Sequence, residues 1–181
     1  MNHHLSYPSI RLIKTRRVLS PRKEGLDNAG IDFFVPYDLT ETDLEEKNKT
    51  QQYSLKCNGE GEVEVIYLQP HGRIVIPSGI KALIDPVDSM LQANNKSGVC
   101  TKKGLIYGAE VVDSSYTGEI HISLINTSKL PVTILPGEKI IQFIHVPVLH
   151  PQMLELSDEE FNNLASDWSL RGSGWQGSTD K

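Results

Sequence analysis

Apolar residues in this chain mostly recur with a period of two, in short runs broken by Gly, Pro and Asn. That is the spacing of half-buried β-strands. Residues 9–19 read as one extended strand, and Ala29–Val35 as a buried strand stopped by Pro36. Further strands are expected at 62–68, 73–77, 79–84, 132–135 and 140–148, with a Pro136-Gly137 turn before the last. Residues 118–126 alternate strictly through Ile120, Ile122 and Leu124. Two shorter runs, Leu105–Tyr107 and Val111-Val112, flank Gly108-Ala109 and read as a β-hairpin. The period changes to that of a helix once, near residues 158–166. There Ser157 and Glu160 have capping-box spacing, and Phe161, Leu164 and Trp168 form an apolar stripe read as core packing. Many short strands with a single helix predict an all-β barrel or sandwich. From Asp38 to about Glu60 the chain turns polar, which reads as a surface insertion with room for one helical turn.

Composition narrows the partners. A chain of 181 residues, 38% hydrophobic, is enough for one domain with a sizeable core. Net charge is −5 and no dense Lys/Arg run occurs, so no nucleic-acid partner is expected. No apolar run approaches the ~18 residues of a membrane span, and no secretory signal is apparent. The two cysteines, Cys57 and Cys100, lack metal-site or disulfide-framework spacing, which suits a reducing, cytoplasmic setting.

Three places carry candidate chemistry. Asp113 closes the second arm of the expected hairpin, where a carboxylate can serve as a base or accept backbone hydrogen bonds as a plain turn residue. Asp32 interrupts an apolar strand, so it requires a cationic partner or a polar pocket. The tail, Arg171 to Lys181, contains a G-x-G-x-x-G spacing without the preceding strand and following helix of a dinucleotide fingerprint. It reads either as a plain polar end or as an arm whose amides, hydroxyls and guanidinium close over phosphates.

Taken together, five fragments resemble, in order, the motifs of the trimeric dUTP pyrophosphatase (dUTPase) family. They are Ala29-Gly-Ile-Asp32, Lys96-Ser-Gly98, Gly108-Ala-Glu-Val-Val-Asp113 with Tyr116 and Gly118, Pro136-Gly-Glu-Lys-Ile-Ile-Gln142, and Arg171-Gly-Ser-Gly174 with Gly177-Ser-Thr179. The resemblance implies a jelly-roll-like β-barrel over residues 1–170, carrying the 38–60 insertion. It implies a flexible C-terminal arm, 171–181, that completes the active site of a neighbouring subunit in a homotrimer. The implied reaction is hydrolysis of dUTP to dUMP and pyrophosphate with Mg²⁺. In it Asp113 activates the water, and Asp32 touches the metal through water only or braces Lys96. Lys96, Ser97, Gly98 and Gln142 hold phosphates. Gly104 to Gly108 read the uracil edge and Tyr116 lies against the deoxyribose. Arg171, Gly177, Ser178 and Thr179 close over the γ-phosphate, with Trp175 covering the base.

The chain departs from the family pattern at Lys96, usually Arg, at Glu110, usually Gly, and at Gln176, usually a stacking Phe. Lysine keeps the charge and loses the planar fork. The related dCTP deaminases carry a catalytic Glu where Ser123 stands, so their chemistry lacks its acid here. A nucleotide-switched binding protein on the same fold is the alternative from another class, with the 38–60 insertion as its expected partner surface.

Overall fold

The structure, a computed structural model, describes residues 8–50 and 52–168. In chain order the strands are β1 (Ser9–Lys14), β2 (Gly30–Phe34), β3 (Tyr53–Cys57), β4 (Val63–Leu68), β5 (Arg73–Asp85), β6 (Ser89–Asn94), β7 (Leu105–Tyr107), β8 (Val111–Asp113), β9 (Glu119–Asn126), β10 (Val132–Ile134) and β11 (Lys139–Pro147). Helices α1 (Glu41–Glu45), α2 (Ser97–Lys103) and α3 (Asp158–Trp168) complete the described elements. Three antiparallel sheets result, ordered β1-β5-β9-β7, β10-β4-β3 and β2-β11-β6-β8. This is the all-β, jelly-roll-like architecture expected. Two compact units are distinguished, Met1–Leu149 with all the strands and His150–Lys181 with α3.

The alternation in β9 does what its sequence requires: Ile120, Ile122 and Leu124 are buried while Glu119, His121, Ser123 and Ile125 lie on the other face. Their inward side joins Ile74, Ile76, Phe143 and Leu91 in one apolar core. The expected runs 73–77 and 79–84 are a single strand, β5. Its first half pairs with β9 and its second with β1, the register shifting between Pro77 and Lys81. The strand expected over 9–19 ends at Lys14, and β6 was not anticipated from sequence.

Two other expectations are corrected. The runs around Gly108 do not form a ladder with each other: β7 pairs with β9, and β8 pairs with β6 in another sheet. Each arm finds a longer partner strand, so Gly108–Glu110 is a crossing between sheets. The 38–60 segment is also no loose excursion, since Leu39 and Leu44 are fully buried, Tyr53 is buried, and β3 pairs with β4. A Thr40–Asp43 capping box starts α1, and Arg16 ties Asp43 to Glu119. Asn48 then substitutes for a strand at the open edge of β5. Its side-chain oxygen accepts from Val75 N at 2.8 Å, and its amide nitrogen donates to Val75 O at 2.9 Å. Within its own unit, α3 has the expected cap, with Glu160 N donating to Ser157 Oγ. Its stripe is not core, because Phe161, Leu164 and Trp168 are all exposed.

Asn48→Ala removes both backbone contacts at Val75 and leaves that edge unpaired. A loss of about 2 kcal/mol is expected in urea unfolding; an unchanged midpoint would mean that water replaces the amide at no cost. Asp43 makes a second, pH-dependent contribution. Against the opposing effect of burial, hydrogen bonds from Arg16 and Thr40 hold its pKa below the ordinary 3.8. Its contribution is therefore complete above that value and lost as pH falls through the depressed one. Asp43→Asn should flatten this part of the acid limb of a stability–pH curve, and an unaltered limb would assign it elsewhere.

Candidate active site

One row of residues crosses three strands. Asp32 on β2 pairs in register with Gln142 on β11, which pairs with Asn94 on β6. Paired residues share a sheet face, and the intervening Ile141 and Phe143 point into the core, so this row lies on the outer side. Asp32 is nonetheless only 2% exposed. Its carboxylate is ion-paired to Lys96, with Lys139 Nζ a further 3.5 Å from Oδ2. Oδ2 itself has no hydrogen-bond partner among the described residues. Lys139 was given no role from sequence, although it stands inside the fourth fragment. It also donates to Glu24 at 2.5 Å, a bond that holds its pKa above the ordinary lysine value, with Asp32 adding to the effect.

Asp32, Lys96, Gln142 and Glu24 line an open cleft of about 360 Å³ with Gly30, Asn28 and Asp27. A Cβ on Gly30 would stand 2.0 Å from Gln142 Oε1, so the glycine is what lets the amide lie across the strand. Gln142 Nε2 donates to Asn95 O at 2.8 Å, and the Asn95 side chain accepts from Tyr107 N at 2.9 Å. Asn95, also unassigned from sequence, thus joins the cleft to β7. Lys96 occupies the N-cap position of α2; its ammonium, a donor only, makes no cap bond and is directed to Asp32 instead. Ser97 and Gly98 begin the helix and are exposed; it ends at Gly104 in a left-handed conformation.

The structure brings Gly30, Asp32, Lys96 and Gln142 together, with Ser97 and Gly98 adjoining. It does not bring Asp113 to them. Asp113 pairs with Met90 on β6, four residues from Asn94, which at ~3.4 Å per residue is on the order of 13 Å along the strand. Its carboxylate is exposed and, among the described residues, free of hydrogen bonds and ion pairs; only its carbonyl serves the turn, accepting from Tyr116 N at 3.0 Å. Tyr116 packs over Gly118, donates from its hydroxyl to Glu119 O at 2.8 Å and stays partly exposed. Glu110 accepts from Gln92 Nε2 at 2.6 Å. Arg171, Trp175, Gly177, Ser178 and Thr179 lie outside the described residues.

Comparison with known proteins places this geometry. A family profile described as dUTPase matches residues 63–173. The deoxyuridine 5'-triphosphate nucleotidohydrolase of Candida albicans is 30% identical over 118 residues, covering 65% of this chain and 70% of that protein. The dUTPase of Staphylococcus bacteriophage 80alpha with dUpNHpp superposes with a TM-score of 0.67 at 18% identity, covering 94% of this chain and 98% of the other. A mutant dUTPase from phage phi11 of S. aureus, described with a coordinated structural Mg(II) ion, gives 0.60 at 17% identity over 83% and 97% of the two chains.

Lys96→Met strands a buried carboxylate and is expected to cost about 3 kcal/mol in denaturant unfolding. Lys96→Arg should keep the charge and most of the stability. Equal stability of the Met variant and the parent would show that Lys139 alone suffices for Asp32.

Proposed function

The chain belongs to the dUTPase family and hydrolyses dUTP to dUMP and pyrophosphate, and we propose how its residues divide that work. Asp113 is the base. An exposed carboxylate with no internal partner can accept a proton from a water, whose oxygen then bonds to the α-phosphorus as the bond to the bridging oxygen breaks and pyrophosphate departs. Lys96, Ser97, Gly98 and Gln142 hold the phosphate oxygens; the first amides of α2 and the Lys96 ammonium are donors for anions. Because Lys96 is already paired to Asp32, it acts as a fixed point charge rather than a bidentate fork. The Tyr116 ring lies against the deoxyribose, and the backbone between Gly104 and Gly108 reads the uracil edge.

Asp32 fits a Mg²⁺ ion that arrives with the nucleotide and keeps its waters. Its Oδ2, buried at the cleft and without a hydrogen-bond partner among the described residues, is an acceptor for a metal-bound water. When bound, the ion would neutralise charge on the triphosphate.

The observation that carries this reading is the distance between Asp113 and the phosphate cleft within one chain. Within one chain Gln142 and Asp113 lie on the order of 13 Å apart along the sheet, and the Gln142 amide is tied to Asn95 O rather than turned toward Asp113. Two neighbouring copies supply the two halves, in a homotrimer whose closed symmetry gives every copy the same role. Arg171, Trp175, Gly177, Ser178 and Thr179 of the 171–181 arm complete the site from a neighbouring copy, over a barrel of residues 1–170. The setting is the cytoplasm.

Asp113→Asn should lower kcat by about 10²–10⁴-fold while a non-hydrolysable dUTP analogue still binds. Unimpaired turnover would remove Asp113 from its role. Truncation before Arg171 is expected to reduce turnover strongly and leave the assembly intact by light scattering; a truncated chain as fast as the parent would take the arm out of the site.

A further inference from the structure

A second cleft is larger than the proposed phosphate cleft. About 400 Å³ lies between the outer face of β9 and the 47–50 segment, lined among others by Lys47, Lys49, Thr50, Arg73, Gly108 and Ser123. Three cations therefore surround one cleft in a chain whose net charge is −5. Among the described residues, none of the three is in an ion pair. Exposed lysines on a loose loop would relax apart into solvent, but this wall is not loose. The two bonds between Asn48 and Val75, and the fully buried Leu44, hold the backbone that carries Lys47 and Lys49 against β5. The opposite wall is also tied down, since Gly108 N donates to Ser123 O at 2.9 Å.

A second observation comes from the same face of β9. His121, two residues before Ser123, has a buried Nε2 without a hydrogen-bond partner among the described residues. Burial pushes its pKa down, Lys47 and Arg16 adding to this and Glu119 opposing it. Lys47 thus borders the cleft and also acts electrostatically on this histidine. Like charges gathered around a recess, beside an unmet polar atom, are best satisfied by an anion with several acceptor oxygens.

We propose that this cleft is a binding site for an anionic group, a phosphate or a carboxylate, held by Lys47, Lys49 and Arg73 with the Ser123 and Thr50 hydroxyls, against the turn at Gly108. The 47–50 wall lies outside the region matched by the family profile, while Arg73, Gly108 and Ser123 lie within it. The link of this site to the reaction rests on the reading that the Gly104–Gly108 backbone contacts the base. On that reading, the anion belongs either to a separate small ligand or to a substituent on the base of the nucleotide.

The test begins with inorganic phosphate titrated into the full-length protein, followed by backbone amide resonances. Shifts at Lys49, Val75 and Ser123 are expected. They should vanish in the triple variant Lys47→Met, Lys49→Met, Arg73→Met, while shifts at Ser97 and Gly98 persist. Shifts confined to Ser97 and Gly98, or cleft shifts that survive the triple variant, would overturn the proposal. Circular dichroism of the variant checks that it folds, and the single variant Lys49→Met, with partial loss expected, serves if it does not. The source of the anion is read from kcat/KM for 5-carboxy-dUTP relative to dUTP. A tenfold or greater fall of that ratio in the triple variant assigns the anion to the base, and an unchanged ratio assigns it to a separate ligand. Failure of the parent to hydrolyse dUTP would count against the active-site reading alone, since the phosphate titration needs no turnover.

Discussion

A carboxylate buried in an apolar strand is the constraint around which the site is built. Asp32 is nearly inaccessible to solvent, and an ionised carboxylate there is tolerable only beside a cation. That requirement draws Lys96 back from the N-terminus of α2 and brings Lys139 across from β11. With both cations fixed, the start of α2 and the Gln142 amide come to border one cleft, and Asn95 transmits the same geometry to β7. Local stability and, in the proposed mechanism, phosphate recognition therefore depend on the same ion pair.

The other half of the proposed chemistry is held by different means. Asp113 sits at the end of a three-residue strand, and Tyr116 is fixed by one hydrogen bond to the backbone of Glu119. Nothing in this part depends on Asp32. It occupies the far end of the same sheet, which supports an assembly of identical copies as the working unit. Separating the group that prepares the water from the groups that hold the phosphates would leave turnover dependent on assembly. An isolated chain would then have little activity to misdirect.

Much of the strand arrangement could be read from period-two patterning, most clearly in β9, where Ile120, Ile122 and Leu124 are buried in turn and only Asn126 breaks the apolar series. The need for a partner at Asp32 was also legible, because a charge in an apolar strand has few physical outcomes. Partner choice was not. The runs on either side of Gly108 look like a hairpin locally, yet each pairs with a longer strand supplied from far along the chain. The 38–60 segment misled for a related reason: its three buried apolar residues, Leu39, Leu44 and Tyr53, are scattered among charged and polar neighbours. Phe161, Leu164 and Trp168 show the opposite failure, a helical stripe with correct spacing that is exposed within its own unit. Lys139 and Asn95 carried no distinguishing pattern, since their roles arise from strand register and loop position.

The central claim is that Asp113 and the Asp32–Lys96–Gln142 cleft meet only between copies of the chain. Subunit mixing tests it most directly. Asp113→Asn and Gln142→Leu chains, each inactive in its own assembly, would be refolded together and assayed for pyrophosphate release from dUTP. Sharing between copies predicts that mixed assemblies regain activity well above either parent, because some interfaces join an intact Asp113 to an intact cleft. A mixture as inactive as its components, with mixed assembly verified by native mass spectrometry, would contradict it.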